Sequence, residues 1–171
     1  FLATRNNHGG TAETNNELTG IMRTIASSNN FSEALMTQAT ELYDKWIRAW
    51  NGEMDLIDEI ISPDFHFHPT NEESGEDYSG RDGVRKMITI SRTLFTPINF
   101  SIEIDPIIQG DFLAARWIGE GQYAGGFPGA TAEPGTRVRF SAIDILRFKD
   151  GKFIEYWHNA DDLTFMSSIG A

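Results

Sequence analysis

The chain has 171 residues, 40% of them apolar, with twelve Phe and four Trp, enough for one domain with a real core. Its net charge of −11 excludes nucleic acid and anionic membrane surfaces as partners, because both are held by clustered Lys and Arg. Cysteine is absent, which excludes disulfides and thiolate metal sites and favours an intracellular, cytoplasmic setting.

No apolar run approaches the ~20 residues that span a bilayer, and no secretory h-region is seen. The chain opens on Phe1, as a processed or trimmed product would. Residues 1–17 are polar and read as a flexible tail. Leu18, Ile21, Met22 and Ile25 then recur at helical spacing, which predicts a short amphipathic helix broken by Ser27-Ser28-Asn29-Asn30. Residues 1–31 are thus expected to be an extension, either packed and passive or an arm that lids a pocket or reaches a second subunit.

Residues 32–171 are expected to form one domain. Its first helix starts with Ser32 as N-cap and carries an apolar stripe of Leu35, Ala39, Leu42, Tyr43, Trp46 and Trp50. Asn51-Gly52 ends it. A short helix follows over Met54–Ile61, and Ser62-Pro63 stops it. Asp64 to Pro69 alternates like a strand, with His66 and His68 on one face and Phe65 and Phe67 on the other. An acidic loop over residues 70–80 leads to a third helix from Arg81 to Phe95, with Val84, Met87, Ile88 and Ser91 facing in.

The rest reads as β. One strand, Ile98 to Ile108, puts Phe100, Ile102 and Ile104 on one face. A second, Phe112 to Tyr123, is followed by a Gly/Pro-rich loop over residues 124–135. Two long strands then flank Asp150-Gly151, a dipeptide suited to a tight hairpin. Before the turn, Val138, Phe140, Ala142, Asp144, Leu146 and Phe148 share a face that is apolar except for Asp144. After it, Ile154, Tyr156 and His158 share one face, and Phe153, Glu155 and Trp157 the other. If the Asp144 and His158 faces coincide, a carboxylate and an imidazole point into one apolar space, which is an acid/base arrangement. Arg116, Arg139 and Arg147 are expected outside, paired with acids such as Glu120 and Glu155. Asp161 or Asp162 caps a last helix. Helices segregated onto one face of a curved, mostly antiparallel sheet give an α+β cone enclosing a cavity.

Arg116-Trp117, the Gly-rich loop through Gly129, Pro134-Gly135, Arg147-Phe148, Asp150-Gly151-Lys152 and Glu155 before Trp157 make this region closely resemble the SnoaL-like polyketide cyclases of the nuclear transport factor 2-like (NTF2-like) superfamily. Trp50-Asn51-Gly52, Ser62-Pro63-Asp64-Phe65 and Gly80-Arg81-Asp82-Gly83 fit the same family, so the resemblance covers roughly residues 40–170. It implies a cone that binds a hydrophobic, carbonyl-bearing small molecule, needs no cofactor, and pairs as a homodimer through the outer face of the sheet. In those cyclases an aspartate near the end of the last strand is the acid/base, helped by a polar residue on the preceding strand. Here the first position falls on His158 and the second on Asp144, so the two residue types are swapped.

The expected catalytic set is therefore Asp144, His158 and His68, with His66 or His68 bonding the developing enolate. The expected substrate-binding set is His66, Tyr43, Trp46, Trp117, Tyr123, Phe140 and Tyr156. A metal held by His66, His68, Asp144 and His158 is the competing reading of these residues; no metal is expected. Aldol-type cyclisation is the first reaction implied. Dehydration, epoxide hydrolysis or isomerisation on the same fold, and a non-catalytic binding module, are the alternatives.

Overall fold

The computed structural model describes residues 10–69 and 77–171. Most of the expected polar tail and residues 70–76 of the acidic loop therefore lie outside the described residues. The chain divides between Thr37 and Gln38 into two compact units.

The first helix, α1, runs without interruption over Gly10–Trp50. The expected break at residues 27–30 is absent, and Ser32 lies inside the helix rather than capping it. Ser and Asn cost only tenths of a kcal/mol each in a helix interior, and without Gly or Pro they weaken a helix but do not end it. Leu18, Ile21, Met22 and Ile25 all lie on this helix and are exposed.

In the second unit α1 ends with a buried face of Ala39, Leu42, Tyr43, Trp46, Ala49 and Trp50. Then come α2 (Leu56–Ile60), β1 (Ile61–His68), α3 (Gly80–Thr93), β2 (Phe95–Gln109), β3 (Phe112–Tyr123), β4 (Arg137–Lys149), β5 (Lys152–Ala160) and α4 (Asp162–Ile169). Ser62-Pro63 sits within β1 instead of closing the helix before it. Phe95 opens β2 instead of ending α3, consistent with Pro97 two residues on, which biases its predecessor to extended backbone.

The five strands form one curled sheet in the order β1-β5-β4-β3-β2. Only the β1–β5 pairing is parallel. Helix α3 packs on β1 and β2, and α4 packs on β4. The β4–β5 hairpin turns on Asp150 and Gly151 at φ 52° and 72°, the left-handed pair such a turn needs. The expected inner face of β4 holds throughout: Val138, Ala142, Asp144, Leu146 and Phe148 are buried and Phe140 is half-buried.

The register shifts at several points of the sheet, and two of these shifts overturn expected faces. On β5 the partners step from Glu155 to Phe153 while β4 advances one residue, from Arg147 to Phe148. The extra residue, Ile154, is pushed to the surface groove beside His66, and Phe153 turns inward against Trp46. On β2 the register shifts between Ile102 and Ile104, so Ile104 leaves the Phe100 face and lies exposed opposite Arg116. A bulge inserts one residue and so inverts every face assignment beyond it.

Asn51 fastens α1 to the sheet. Its side chain donates to the carbonyl of Phe100 and accepts from the Phe100 N–H, both at 2.8 Å. Gly119 leaves room on β3 for two rings: a Cβ there would meet Phe140 at 2.9 Å and Phe100 at 3.2 Å. No helix among the described residues is long and apolar enough to cross a membrane.

Candidate functional site

Asp144 lies midway along β4, 1% exposed, under the end of α1. Its two oxygens receive hydrogens from three elements, α1, β3 and β5. Oδ2 accepts from the Tyr43 hydroxyl and the Trp46 indole, each at 3.1 Å. Oδ1 accepts from the Trp117 indole at 3.0 Å and the Tyr156 hydroxyl at 2.9 Å. His158 Nδ1 stands 3.2 Å from the same oxygen and 2.9 Å from the Tyr156 oxygen. A buried carboxylate is tolerated only when its lone pairs are satisfied, and here they are all in use.

The protons can be placed from this network. Tyr156 donates to Asp144, so its oxygen is free to accept. Nδ1 of His158 faces that oxygen and a carboxylate, two acceptors, and therefore carries the hydrogen. The lone pair is left on Nε2. The imidazole lies over the Trp117 indole, with centroids 5.8 Å apart and planes 14° apart.

Burial, and then the charge and hydrogen bond of Asp144, push the Tyr43 and Tyr156 hydroxyls far above the usual phenol range. Both stay protonated donors wherever the fold persists. The oxygens of Asp144 are thus fully engaged by donors, one of which is the imidazole Nδ1.

His158 also lines a cavity of about 170 Å³. Its walls are Trp50, Phe95, Phe100, Trp117, Phe140 and Phe165, with Leu94 and Ala160. Ser91, Asp162 and His158 are the polar side chains among its lining residues. Of the expected substrate-binding residues, Trp117 and Phe140 reach this cavity. Tyr43, Trp46 and Tyr156 do not line it; they are spent on Asp144. Tyr123 is 2% exposed, and its hydroxyl accepts from the Phe127 N–H of the Gly-rich loop. Ser91, Asp162 and Phe165 were not anticipated, although a hydroxyl within the inward stripe of α3 was the available signal.

His66 and His68 are not in the cavity. The β1–β5 register pairs them with Glu155 and Trp157, while Phe67 pairs with Tyr156, so both histidines lie on the opposite face from Asp144. His68 stacks on Trp157, with centroids 4.2 Å apart and planes 4° apart, and its Nε2 is 3.0 Å from Glu155. Arg147 bridges Glu155 and Asp111 at 2.9 and 2.7 Å. Those contacts, Arg147 first and then His68, hold Glu155 below the usual carboxylate range. The expected convergence of His66 and His68 on Asp144 therefore fails. Among the described residues no group of three or more His, Asp or Glu is placed to hold a metal ion. The arginine placements agree with expectation: Arg139 pairs with Glu120, Arg147 with Glu155, and Arg116 with Glu103.

A curled sheet closed by helices around a small aromatic cavity, with an imidazole in one wall and a carboxylate behind it, defines an NTF2-like α+β cone. The chain belongs to the SnoaL-like polyketide cyclase family, whose sequence profile matches residues 40–169. A candidate polyketide cyclase from Bacillus cereus is 27% identical, with a TM-score of 0.65 over 78% of this chain and 81% of that one. TsrD from Streptomyces laurentii has the same fold at 24% identity and a TM-score of 0.65, covering 79% of this chain and 96% of its own. So has AclR, a candidate hydroxylase from Streptomyces galilaeus, at 24% and 0.65, covering 79% and 82%. Among curated proteins the comparison found no match.

Two outcomes follow from the carboxylate network. Asp144→Asn turns an amide N–H₂ towards an indole N–H whichever way it is flipped, Trp46 on one side and Trp117 on the other. Neither indole can accept, so the substitution is expected to cost roughly 2–4 kcal/mol in urea unfolding. The raised phenols give a pH signature. The unfolded chain loses those protons above a pH of about 10 and the folded chain keeps them. Their contribution to stability is thus full below that pH and falls as pH rises beyond it. In an ultraviolet titration the phenolate signal of Tyr43 and Tyr156 should appear only together with unfolding; early, gradual ionisation of both would contradict the network.

Proposed function

We propose that the chain is a cofactor-independent acid/base enzyme that acts on a hydrophobic, carbonyl-bearing, polyketide-like small molecule, with aldol-type cyclisation as its reaction. The observation that carries the reading is His158 Nδ1 standing 3.2 Å from buried Asp144 while the same ring lines the aromatic cavity. Oriented in this way, Nε2 removes a proton from the carbon next to a carbonyl, and the electron pair moves onto the carbonyl oxygen. The resulting enolate carbon attacks a second carbonyl, forming the C–C bond. The new alkoxide takes the proton back from the imidazolium, which the Asp144 charge stabilises meanwhile. Ser91, in the cavity wall, bonds the enolate oxygen in place of His66 and His68. Asp144 is a positioning residue, and the aromatic walls hold a flat substrate and exclude water.

About 170 Å³ is less than a usual ligand pocket, which supports enclosure of the reacting end of the substrate alone. The absence of cysteine fits a cytoplasmic setting. The outer face of the sheet supports a homodimer: Ile143, Ile145, Ile104 and Ile107 are exposed, and the pairs Arg116–Glu103, Arg139–Glu120 and Arg147–Asp111 flank them. An apolar centre with a charged rim is interface anatomy.

Proton removal is measurable without knowing the natural substrate, as deuterium uptake at the α-carbon of an aryl β-diketone in heavy water, followed by NMR. His158→Ala should lower the catalysed rate on the order of 10²-fold or more with the fold intact. An unchanged rate removes His158 from the mechanism. A wild-type protein that binds the diketone without speeding uptake is a binding module. Ile145→Glu should shift the protein towards monomer in sedimentation; an undisturbed dimer places the interface elsewhere.

A further inference from the structure

The helical arm before Gln38 carries a second feature that the family profile, beginning at residue 40, does not cover. Leu18, Ile21, Met22 and Ile25 are 54%, 55%, 68% and 53% exposed, on a helix that is otherwise polar there. Steps of three and four residues make Leu18, Ile21 and Ile25 successive a and d positions of a heptad, with Met22 beside them at e. Continued by the same steps, the heptad reaches Leu35, Ala39, Leu42, Trp46 and Ala49, interrupted only by Ser28 and Ser32. In the second unit the residues at positions 39, 42, 46 and 49 are buried; in the arm the same kind of seam lies open.

Charge narrows the occupant. From residue 18 to residue 32 the one ionised side chain is Arg23, at the f position opposite the seam. A single cation does not draw a helix to an anionic bilayer, which attracts clusters of Lys and Arg. A charged peptide partner would find nothing complementary. Two copies of a chain with net charge −11 repel one another, and this almost uncharged stretch is where they approach at least cost.

We propose that the arm pairs with the arm of a second copy through Leu18, Ile21, Met22 and Ile25, as a short two-helix seam. Four residues a side is a fraction of the roughly 20–30 a stable interface uses, so the pairing is reversible and concentration-dependent. It is carried by the arm alone and does not depend on the catalytic reading or on the outer face of the sheet.

The chain has no cysteine, so one introduced thiol reports on it cleanly. In full-length Met22→Cys, near the middle of the stripe, mild oxidation should give a disulfide-linked dimer several-fold faster than in Arg23→Cys, whose thiol faces away. Adding Ile21→Glu to Met22→Cys should abolish that advantage while thermal unfolding of the rest of the chain stays unchanged. Equal cross-linking of the two thiols, or no effect of Ile21→Glu, overturns the proposal. So does capture of the wild-type protein by neutral phosphatidylcholine vesicles that is lost in Ile21→Glu, because the seam is then a lipid anchor. Preferential cross-linking that survives Ile145→Glu supports the arm seam whatever becomes of the outer-face dimer.

Discussion

One buried charge organises this protein. Asp144 sits where a carboxylate is expensive, and only donors from α1, β3 and β5 make it tolerable. Those donors are large aromatic side chains, so satisfying the charge also fills the core. The Trp46 indole that bonds Asp144 also packs edge-on against Trp50, Phe153 and Tyr156. Helix α1 is thereby located on the sheet by direction as well as by hydrophobic contact. Apolar burial alone would tolerate a sliding helix; indole and phenol hydrogens aimed at one carboxylate do not.

The same arrangement divides labour between two groups that the sequence presented as equals. Asp144 is saturated and enclosed, whereas His158, two residues from the end of β5, keeps one nitrogen for the cavity. Strand alternation makes this possible. Tyr156 and His158 face inward while Glu155 and Trp157, interleaved with them, face outward to the ion pairs and the apolar stripe. A single nine-residue strand serves the buried site on one side and the outer surface on the other.

The hairpin was legible because period two is rigid while pairing stays regular. From Val138 to Phe148 every inward residue was placed correctly, and so was the coincidence of Asp144 with His158, which are direct cross-strand partners. The misplaced residues fail for identifiable reasons. Phe153, Ile154 and Ile104 lie next to bulges, which leave no compositional trace in one sequence. His66 and His68 were correctly placed on one face of β1, but which face meets the core depends on the pairing with β5, a contact some ninety residues away. Tyr43, Trp46 and Tyr156 were expected to bind substrate; that they bond the carboxylate follows from distances the sequence does not contain. The helix runs on through residues 27–30 because weak helix formers between strong neighbours do not suffice to stop it.

The four tryptophans fall into three different surroundings. Trp46 and Trp117 are bonded through their indole nitrogens to one carboxylate, Trp117 and Trp50 face the cavity, and Trp157 lies under His68 on the outer surface. The intrinsic fluorescence of this chain is therefore a composite of distinct reporters. Quenching by a small aromatic ligand in the proposed cavity site would belong to Trp50 and Trp117, whereas a spectral change with protein concentration would belong to Trp157 if the outer face pairs as proposed. Single tryptophan-to-phenylalanine replacements at positions 50 and 157 separate the two signals without touching the indoles that hold Asp144, so occupancy and assembly become readable by light in the same sample.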